Sequence, residues 1–220
     1  MTSRVHAIPL GRSKAFVVQG DRAILVDTGM PGDEQRIVKA LRDLGIEPES
    51  LSLIVITHAH RDHTGGLAAL REMTGAPVAV HDLEAGVLKE GIDAPIVPNG
   101  LIARVLVSLI RAPKPLPGVT ADLTIREPLD LRNYGVNGEI VPTPGHTPGS
   151  ISLVLPNGEA IIGDLVMRGL TPRPALPLLA TSEDEVRESL QELIARGVTR
   201  FLAAHGGPFS VSDIERRLLR

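Results

Sequence analysis

Short apolar runs bounded by turn-forming residues recur along the chain and predict β-strands. Each run is roughly three to six residues long, which suits a strand better than a helix. The predicted strands are residues 15–19, 23–26, 51–56, 77–80, 123–125, 138–141, 151–155, 160–162 and 201–204. A hairpin is expected at the sequence PNG, residues 156–158, because Asn-Gly favours a tight turn between two apolar runs.

Apolar residues three or four positions apart predict helices, which alternate with the strands in the first hundred residues and follow them later. One predicted helix begins at Gly32-Asp33 and ends at Gly45, and another begins at Ser182. The other predicted helices cover residues 65–73, 101–110 and 210–220. The helix that begins at Ser182 has a capping box, in which Ser182 and Glu185 satisfy free backbone amides.

Residues 83–118 depart from this alternation and are rich in glycine and proline around the predicted helix 101–110. The segment is too short to bury a core of its own, so it is predicted to be a lid-like insertion in a single domain of residues 1–220. The helix has apolar residues on more than one face. It would suit the apolar acyl part of a substrate, or a contact with the body of the protein or with the second subunit of a homodimer.

Composition restricts the class of protein. A chain of 220 residues with a net charge of −3 and 2% aromatic residues lacks the basic surplus and the stacking surfaces that nucleic-acid binding requires. The absence of cysteine excludes disulfides, thiolate metal ligands and a cysteine nucleophile. The first residues lack the apolar stretch of a signal peptide, and no run is long enough to span a bilayer. We therefore expect a cytoplasmic protein with no membrane partner.

The densest group of metal-ligating residues lies in the sequence THAHRDHTGG, residues 57–66, directly after a predicted strand. Three imidazoles and one carboxylate fall within six positions, at His58, His60, Asp62 and His63. His58 and His60 are two positions apart, so in an extended backbone their side chains point the same way. Histidine and aspartate are ligands that suit a borderline metal such as zinc. The pattern therefore predicts a metal site.

Three more polar residues, His146, Asp164 and His205, follow predicted strands, and each lies beside a glycine. Glycine lets the backbone approach closely, and a loop after a strand lets a side chain reach a shared site. Together with the first group they provide the roughly seven protein groups that two metals with a shared water require. The candidate metal ligands are His58, His60, Asp62, His63, His146, Asp164 and His205.

The order of these residues resembles the metallo-β-lactamase superfamily of hydrolases. The shared motifs are H-x-H-x-D-H, then PGHTPGS at residues 144–150, then Gly-Asp, then a late His-Gly, and the match extends from residue 27 to residue 205. The resemblance implies an α/β fold, a four-layer αββα sandwich with two metals at one edge, between the two sheets. It also implies that Asp164 bridges both metals and that Asp27 orients the loop of residues 57–66, which we call the histidine loop.

For the other ligands the resemblance implies two groups. One zinc would be bound by His58, His60 and His146, and the other by Asp62, His63 and His205. Zinc is the expected metal, with two ions per chain, and iron and manganese are the alternatives.

Departures from individual branches narrow the resemblance to glyoxalase II-like and lactonase-like proteins. The commonest zinc β-lactamases carry cysteine in place of Asp164, and flavodiiron proteins carry glutamate in place of His60. Glyoxalase II shares His63 but has a C-terminal helical domain that binds glutathione, which we do not expect in this chain. N-acyl-homoserine lactonases share all the ligands but place a tyrosine shortly after the bridging aspartate, where this chain has LVMR at residues 165–168. Arg168 either orients a substrate there or is a surface residue.

The resemblance implies hydrolysis of an ester, thioester or lactone carbonyl in a small-molecule substrate by a dinuclear zinc site. A metal-bound water would attack as hydroxide while the metals stabilise the oxyanion. Asp62 is the candidate catalytic residue, because a metal ligand at that position could also pass a proton to the leaving group.

Three alternatives stay open. A mono-iron oxygenase of the persulfide dioxygenase type uses the same scaffold with two histidines and one aspartate, and its iron content would distinguish it. A phosphodiesterase or nuclease is disfavoured because the sequence has neither a basic patch nor aromatic stacking residues. A non-enzymatic binding module is disfavoured because a full ligand set with an open water position would have no use in it.

Overall fold

The described strands of the protein form two six-stranded sheets and one two-stranded sheet. The computed structural model describes residues 3–98, 114–169 and 171–219. Within them the strands are β1 (Arg4–Pro9), β2 (Lys14–Gln19), β3 (Ala23–Val26), β4 (Leu51–Val55), β5 (Val78–His81), β6 (Leu123–Ile125), β7 (Leu129–Asp130), β8 (Glu139–Pro142), β9 (Ile151–Val154), β10 (Glu159–Ile161), β11 (Met167–Arg168), β12 (Pro174–Ala175), β13 (Arg200–Leu202) and β14 (Phe209–Ser210). The helices described are α1 (Glu34–Asp43), α2 (Arg61–Thr64), α3 (Leu67–Thr74), α4 (Asp82–Glu90), α5 (Glu183–Ala195) and α6 (Val211–Leu218). None of these helices combines the length and the apolar character that crossing a membrane demands.

The first large sheet has the strand order β1-β2-β3-β4-β5-β6. Its first three strands are antiparallel neighbours, and β3 to β6 run parallel to one another. Parallel neighbours need a crossover, which α1 supplies between β3 and β4, and α2 and α3 supply between β4 and β5. The carboxyl ends of β3, β4 and β5 therefore meet at one edge of the sheet.

The second large sheet has the strand order β14-β13-β10-β9-β8-β7. Neighbouring strands in this sheet are antiparallel, except for β10 and β13, which run parallel to each other. The crossover between these two strands contains α5. The loops that follow β10 and β13 consequently leave the sheet at the same edge.

Alternate positions along each strand face opposite sides of the sheet, and this divides the apolar residues among three cores. On the outer face of the first sheet, Leu25 packs in one core with Ile37 of α1. The adjacent Ile24 belongs to the core between the two sheets. On the outer face of the second sheet, Phe201 packs in the third core with Leu190 of α5. The layers are helix, sheet, sheet and helix, which confirms the predicted four-layer αββα sandwich.

The nine predicted strands are all present, with ends that differ from the predictions by at most two residues. The strand β1 was not predicted, because its sequence RVHAIP mixes polar and apolar residues, as an edge strand with one neighbour can. The helix α4 was not predicted either, because Gly86 and the following prolines suggested an irregular segment. The predicted helix 101–110 lies outside the described residues, so the lid-like insertion and the single domain stay predictions.

The side chain of Ser182 caps the first turn of α5. The Glu185 amide donates to Ser182 Oγ at 3.2 Å, as the predicted capping box requires of this serine. Replacing it in Ser182→Ala should lower the free energy of unfolding by ~1 kcal/mol, because the amide loses its partner. Denaturant titration measures this change. Ser182→Asp, which keeps an acceptor oxygen, should retain the wild-type value, and an equally stable alanine variant would contradict the capping role.

Candidate metal centre

The structure brings all the predicted ligands together at the edge where strands of both sheets end. The histidine loop follows β4 and leads into the short helix α2, which carries Asp62 and His63. His146 lies in the connection between β8 and β9, Asp164 follows β10, and His205 follows β13. The grouped ligand atoms lie within 4.8 Å of one another in three overlapping sets: His58, His60 and His146; His58, His63 and Asp164; and Asp62, His63 and His205.

Three of these residues, His58, His60 and His146, form what we call the three-histidine group. His58 Nε2 lies 3.0 Å from His60 Nδ1, and His146 Nε2 lies 3.1 Å and 3.0 Å from the same two atoms. The side chains are buried, with residue exposures of 1%, 8% and 4%. Three nitrogen atoms therefore point at one small, water-poor volume.

A second set, Asp62, His63 and His205, forms what we call the Asp62 group. His205 Nε2 lies 3.0 Å from Asp62 Oδ2, and His63 Nε2 lies 3.8 Å from the same oxygen. His63 is fully buried, whereas the side chains of Asp62 and His205 are 27% and 20% exposed. This group therefore forms the side of the centre that solvent reaches.

Asp164 lies between the two groups and is buried. Its Oδ2 atom is 3.2 Å from His205 Nε2 and 3.9 Å from His146 Nε2, and its Oδ1 atom is 3.5 Å from His63 Nε2. One carboxylate thus contacts imidazoles of both groups. This is the position that the sequence predicted for a bridging ligand, and the bridging role itself stays a prediction.

Hydrogen bonds to backbone carbonyl oxygens on the far side of two imidazoles aim their Nε2 atoms into the centre. His146 Nδ1 donates to the carbonyl oxygen of Leu179 at 2.6 Å, and His205 Nδ1 donates to that of Arg12 at 2.8 Å. A carbonyl oxygen can only accept, so Nδ1 carries the proton and Nε2 keeps a lone pair in the neutral ring. Such a contact fixes the tautomer and the orientation of metal-binding histidines.

Asp27 performs the same task for His63 and also holds the histidine loop. His63 Nδ1 donates to Asp27 Oδ2 at 2.8 Å, and the Thr57 amide donates to Asp27 Oδ1 at 2.8 Å. Asp27 is fully buried and has a φ of +61°, the only positive φ outside glycine in the described chain. A strained backbone of this kind persists where surrounding contacts determine it and is found mainly at functional sites.

Several potential ligand atoms in the centre have no hydrogen-bond partner in the part of the chain that the structure describes. His63 Nε2, His60 Nε2 and Asp164 Oδ1 are buried without a hydrogen bond to any described residue. Unpaired buried polar atoms are costly, and two of these three point into the space that the groups share. Imidazole nitrogens and carboxylate oxygens are ligands for zinc and related divalent metals. The residues present therefore fit a metal centre.

Two histidines, His6 and His81, lie outside the centre. His81 ends β5, and its Nδ1 accepts a hydrogen bond from the Leu83 amide at the start of α4. His6 lies in β1, opposite Val17 of β2. Supporting residues that the sequence did not predict are Thr57, Glu84, Leu179 and Arg12; the last two act through carbonyl oxygens, which have no residue-type signature.

The pKa values of the three-histidine group are all lowered. Burial is the largest cause for each residue, and neighbouring imidazoles add to it. The pKa of His146 falls to about 4, and the pKa of His58 falls well below its ordinary value. These rings are therefore neutral at pH 7 and have lone pairs free to bind a cation.

The pKa values of the two histidines in the Asp62 group are raised instead. Burial alone would lower the pKa of His63, but the carboxylates of Asp27, Asp164 and Asp62 raise it well above its ordinary value. Burial likewise opposes protonation of His205, but hydrogen bonds to Asp164 and Asp62 raise its pKa to about 10. Burial also disfavours ionised carboxylates, yet these imidazoles lower the pKa of Asp62 to about 2 and that of Asp164 well below its ordinary value.

Metal binding to the two groups should release different numbers of protons at pH 7. The three-histidine group is already neutral, so an ion bound there should displace about zero protons, whereas His63 and His205 should together give up about two. The affinity of the Asp62 group should consequently rise with pH until the raised pKa values are passed. Titration calorimetry in buffers of different ionisation enthalpy measures protons released per ion, and equal release for both ions would contradict this division.

Asp27→Asn should weaken metal binding although it replaces none of the predicted ligands. The side-chain amide of asparagine can place a donor against His63 Nδ1, which favours the tautomer with the proton on Nε2, where a metal would bind. We expect ~10–100-fold weaker binding in the Asp62 group, measured by competition with a chelator. Asp43→Asn is the matched control, because Asp43 is an exposed residue that pairs with Lys39 on α1. Unchanged affinity in Asp27→Asn would contradict the orienting role.

Comparison with known proteins agrees with the geometry. The chain matches the family model of the metallo-beta-lactamase superfamily over residues 8–205. It is 29% identical to a probable metallo-hydrolase of Methanocaldococcus jannaschii, over 88% of this chain and 87% of that protein. It is 34% identical to the hydroxyacylglutathione hydrolase of Albidiferax ferrireducens, over 60% of this chain and 37% of that protein. The crystal structure of the B3 metallo-beta-lactamase BLEG-1 is similar with a TM-score of 0.72 at 21% identity, covering 98% of each chain.

These similarities agree on the family and less on the branch. The lactamase structure supports the fold, and the partial match to a hydroxyacylglutathione hydrolase supports the glyoxalase II branch only weakly. The family match contains all the predicted ligands, from His58 to His205. The chain therefore belongs to the metallo-beta-lactamase superfamily, and its cluster of histidines and aspartates supports a metal-dependent hydrolase.

Proposed function

We propose that the protein hydrolyses an ester, thioester or lactone carbonyl with two divalent metal ions, zinc being the first candidate. The observation that supports this most is the pair of ligand groups joined by Asp164, which contacts imidazoles of both. When bound, the ions would polarise the substrate carbonyl and lower the pKa of a water molecule. The protein's own residues then have three tasks: to hold the ions, to exclude bulk water from one side and to move a proton.

Two ions are proposed because each group offers three ligand atoms and Asp164 offers an oxygen to both. The three-histidine group supplies neutral nitrogen ligands from a buried position. The Asp62 group and Asp164 supply two carboxylates, whose negative charge would balance part of the charge of the ions. A single ion bound by the three-histidine group would leave the carboxylates of Asp62 and Asp164 balanced only by protonated His63 and His205.

Asp62 is the proposed catalytic residue. Its side chain is 27% exposed and lies on the side of the centre that solvent reaches. The low pKa of Asp62, about 2, makes it a weak base at neutral pH. Its proposed task is therefore to accept a proton at Oδ2 only transiently and to pass it to the leaving group.

The substrate is proposed to be a small molecule with an apolar acyl part. Leu178 and Val97 are 56% and 38% exposed, although both are large apolar residues. They lie beside the chain that supports His146, since the Ala180 amide donates to the Val97 carbonyl and Leu179 accepts from His146. An apolar surface next to the ligands suits an acyl chain better than a sugar or a phosphate. The predicted helix 101–110 lies outside the described residues and adds nothing here.

Metal analysis of wild-type protein and of Asp164→Ala tests the proposal. The wild type should hold about two divalent ions per chain and hydrolyse members of a panel of esters, thioesters and lactones of increasing acyl length. Asp164→Ala should lose one or both ions and most of the activity, because both groups lose their shared carboxylate. Two ions and full turnover in this variant would contradict the bridging role, and one iron per chain in the wild type would favour the mono-iron oxygenase.

A further inference from the structure

The backbone amides on both sides of His60 are held by carboxylates from one later segment of the chain. The Ala59 amide donates to Glu84 Oε2 at 3.0 Å. The Arg61 amide donates to Asp93 Oδ1 at 2.6 Å. His60 is therefore held between two fixed peptide groups, although neither carboxylate contacts a ligand atom through these bonds.

Glu84 also contacts the loop that carries His146. Glu84 lies on α4 and is only 1% exposed. A Cβ atom added to Gly149 would lie 2.5 Å from Glu84 Cγ, so the chain after His146 packs directly on this side chain. A buried carboxylate is costly unless hydrogen bonds compensate its desolvation, and the Ala59 amide is one such bond. Glu84 thus connects both loops of the three-histidine group.

Asp93 supports the other half of the centre. His60 has an extended backbone, with φ −90° and ψ 150°, and the helix α2 begins at the next residue. The first amide of a helix has no partner within the helix, and Asp93 supplies that partner for Arg61. The Asp93 carboxylate also lies 3.7 Å from Arg61 Nε. Since α2 carries Asp62 and His63, its start determines where two ligands of the Asp62 group lie.

A third hydrogen bond joins the same segment to the loop. The Ala94 amide donates to the Ala59 carbonyl at 2.8 Å. The peptide groups around residue 59 are therefore bound on both their donor and their acceptor sides by residues 84–94. This segment belongs to the predicted lid-like insertion, and in the structure it contacts the backbone of the loop that carries His58 and His60.

We propose that Glu84 and Asp93 are positioning residues of the metal centre. Glu84 orients the three-histidine group through the Ala59 amide, and Asp93 orients α2 and the Asp62 group through the Arg61 amide. The proposal rests on the proposed metal-binding function of these groups. It requires an acceptor oxygen at each position, because the contact that matters is a hydrogen bond to a backbone amide.

Cobalt binding to full-length variants tests the two positions separately. Glu84→Ala and Asp93→Ala remove the acceptor, whereas Glu84→Gln and Asp93→Asn keep an oxygen at the same place. Asp82→Ala is the matched control, because Asp82 lies on the same helix and its carboxylate pairs with Arg126 instead. The readouts are Co²⁺ affinity by chelator competition and the visible spectrum of the cobalt-loaded protein, which reports ligand geometry.

The alanine variants should bind cobalt ~10–100-fold more weakly and show altered spectra. The glutamine and asparagine variants and the control should stay close to wild type. Alanine variants that fold, as judged by circular dichroism, and keep wild-type affinity and spectrum would overturn the proposal. So would equal losses in Glu84→Gln and Glu84→Ala, because the charge would then matter and not the acceptor. If Glu84→Ala does not fold, the Asp93 pair decides, since that side chain is 18% exposed.

Measurements on the wild-type protein distinguish a failure of this proposal from a failure of the proposed function. Wild-type protein that binds no cobalt would overturn both. Wild-type protein that binds two ions and cleaves no ester, thioester or lactone would overturn the hydrolysis, while the effects of the Glu84 and Asp93 variants on affinity would still decide the positioning role.

Discussion

The burial of charged and polar ligands at one edge of the sandwich is the constraint on which the rest of the centre depends. The predicted ligands that are fully or nearly fully buried are His58, His60, His63, His146 and Asp164. Such groups are costly to remove from water unless hydrogen bonds and opposite charges compensate them. In the protein alone, protonated imidazoles compensate the carboxylates in the Asp62 group, which is why the pKa values of His63 and His205 are raised. A divalent cation would replace those protons as the positive charge.

The fold supplies this edge through strand direction. Parallel strands β3 and β4 end side by side, so Asp27 and the histidine loop emerge next to each other. In the second sheet the parallel pair β10 and β13 does the same for Asp164 and His205. Each of these loops thus leaves a strand most of whose side chains are buried. The contact between Asp27 and His63 joins two of these loops directly.

The strands, and the histidines and aspartates that lie together at the centre, could be predicted from the sequence because both have local signatures. The run before His58 is apolar and short, and the predicted ligands are histidines and aspartates that either cluster at residues 58–63 or lie beside a glycine after a strand. The contacts that orient the ligands have no such signature. The carbonyl oxygens of Leu179 and Arg12 could belong to any residue type, and Glu84 lies on α4, which the glycine and proline content of its segment concealed. The outer contacts depend on tertiary packing, which a single sequence does not reveal.

The strand β1, which was not predicted, also helps to position residues of the centre through tertiary packing. The turn between β1 and β2 brings Arg12 and Ser13 against the Asp62 group: His205 Nδ1 donates to the Arg12 carbonyl, and Ser13 Oγ donates to the Asp62 carbonyl at 2.7 Å. Lys14 Nζ then donates to the Ala203 carbonyl at 3.2 Å, close to His205. The N-terminal hairpin therefore helps to hold the half of the centre that faces solvent, together with Asp93, while Glu84 of α4 holds the buried half. Because the contacts of this hairpin with the centre are made to residues of the Asp62 group and their neighbours, a change in the hairpin can alter that group and leave the three-histidine group in place.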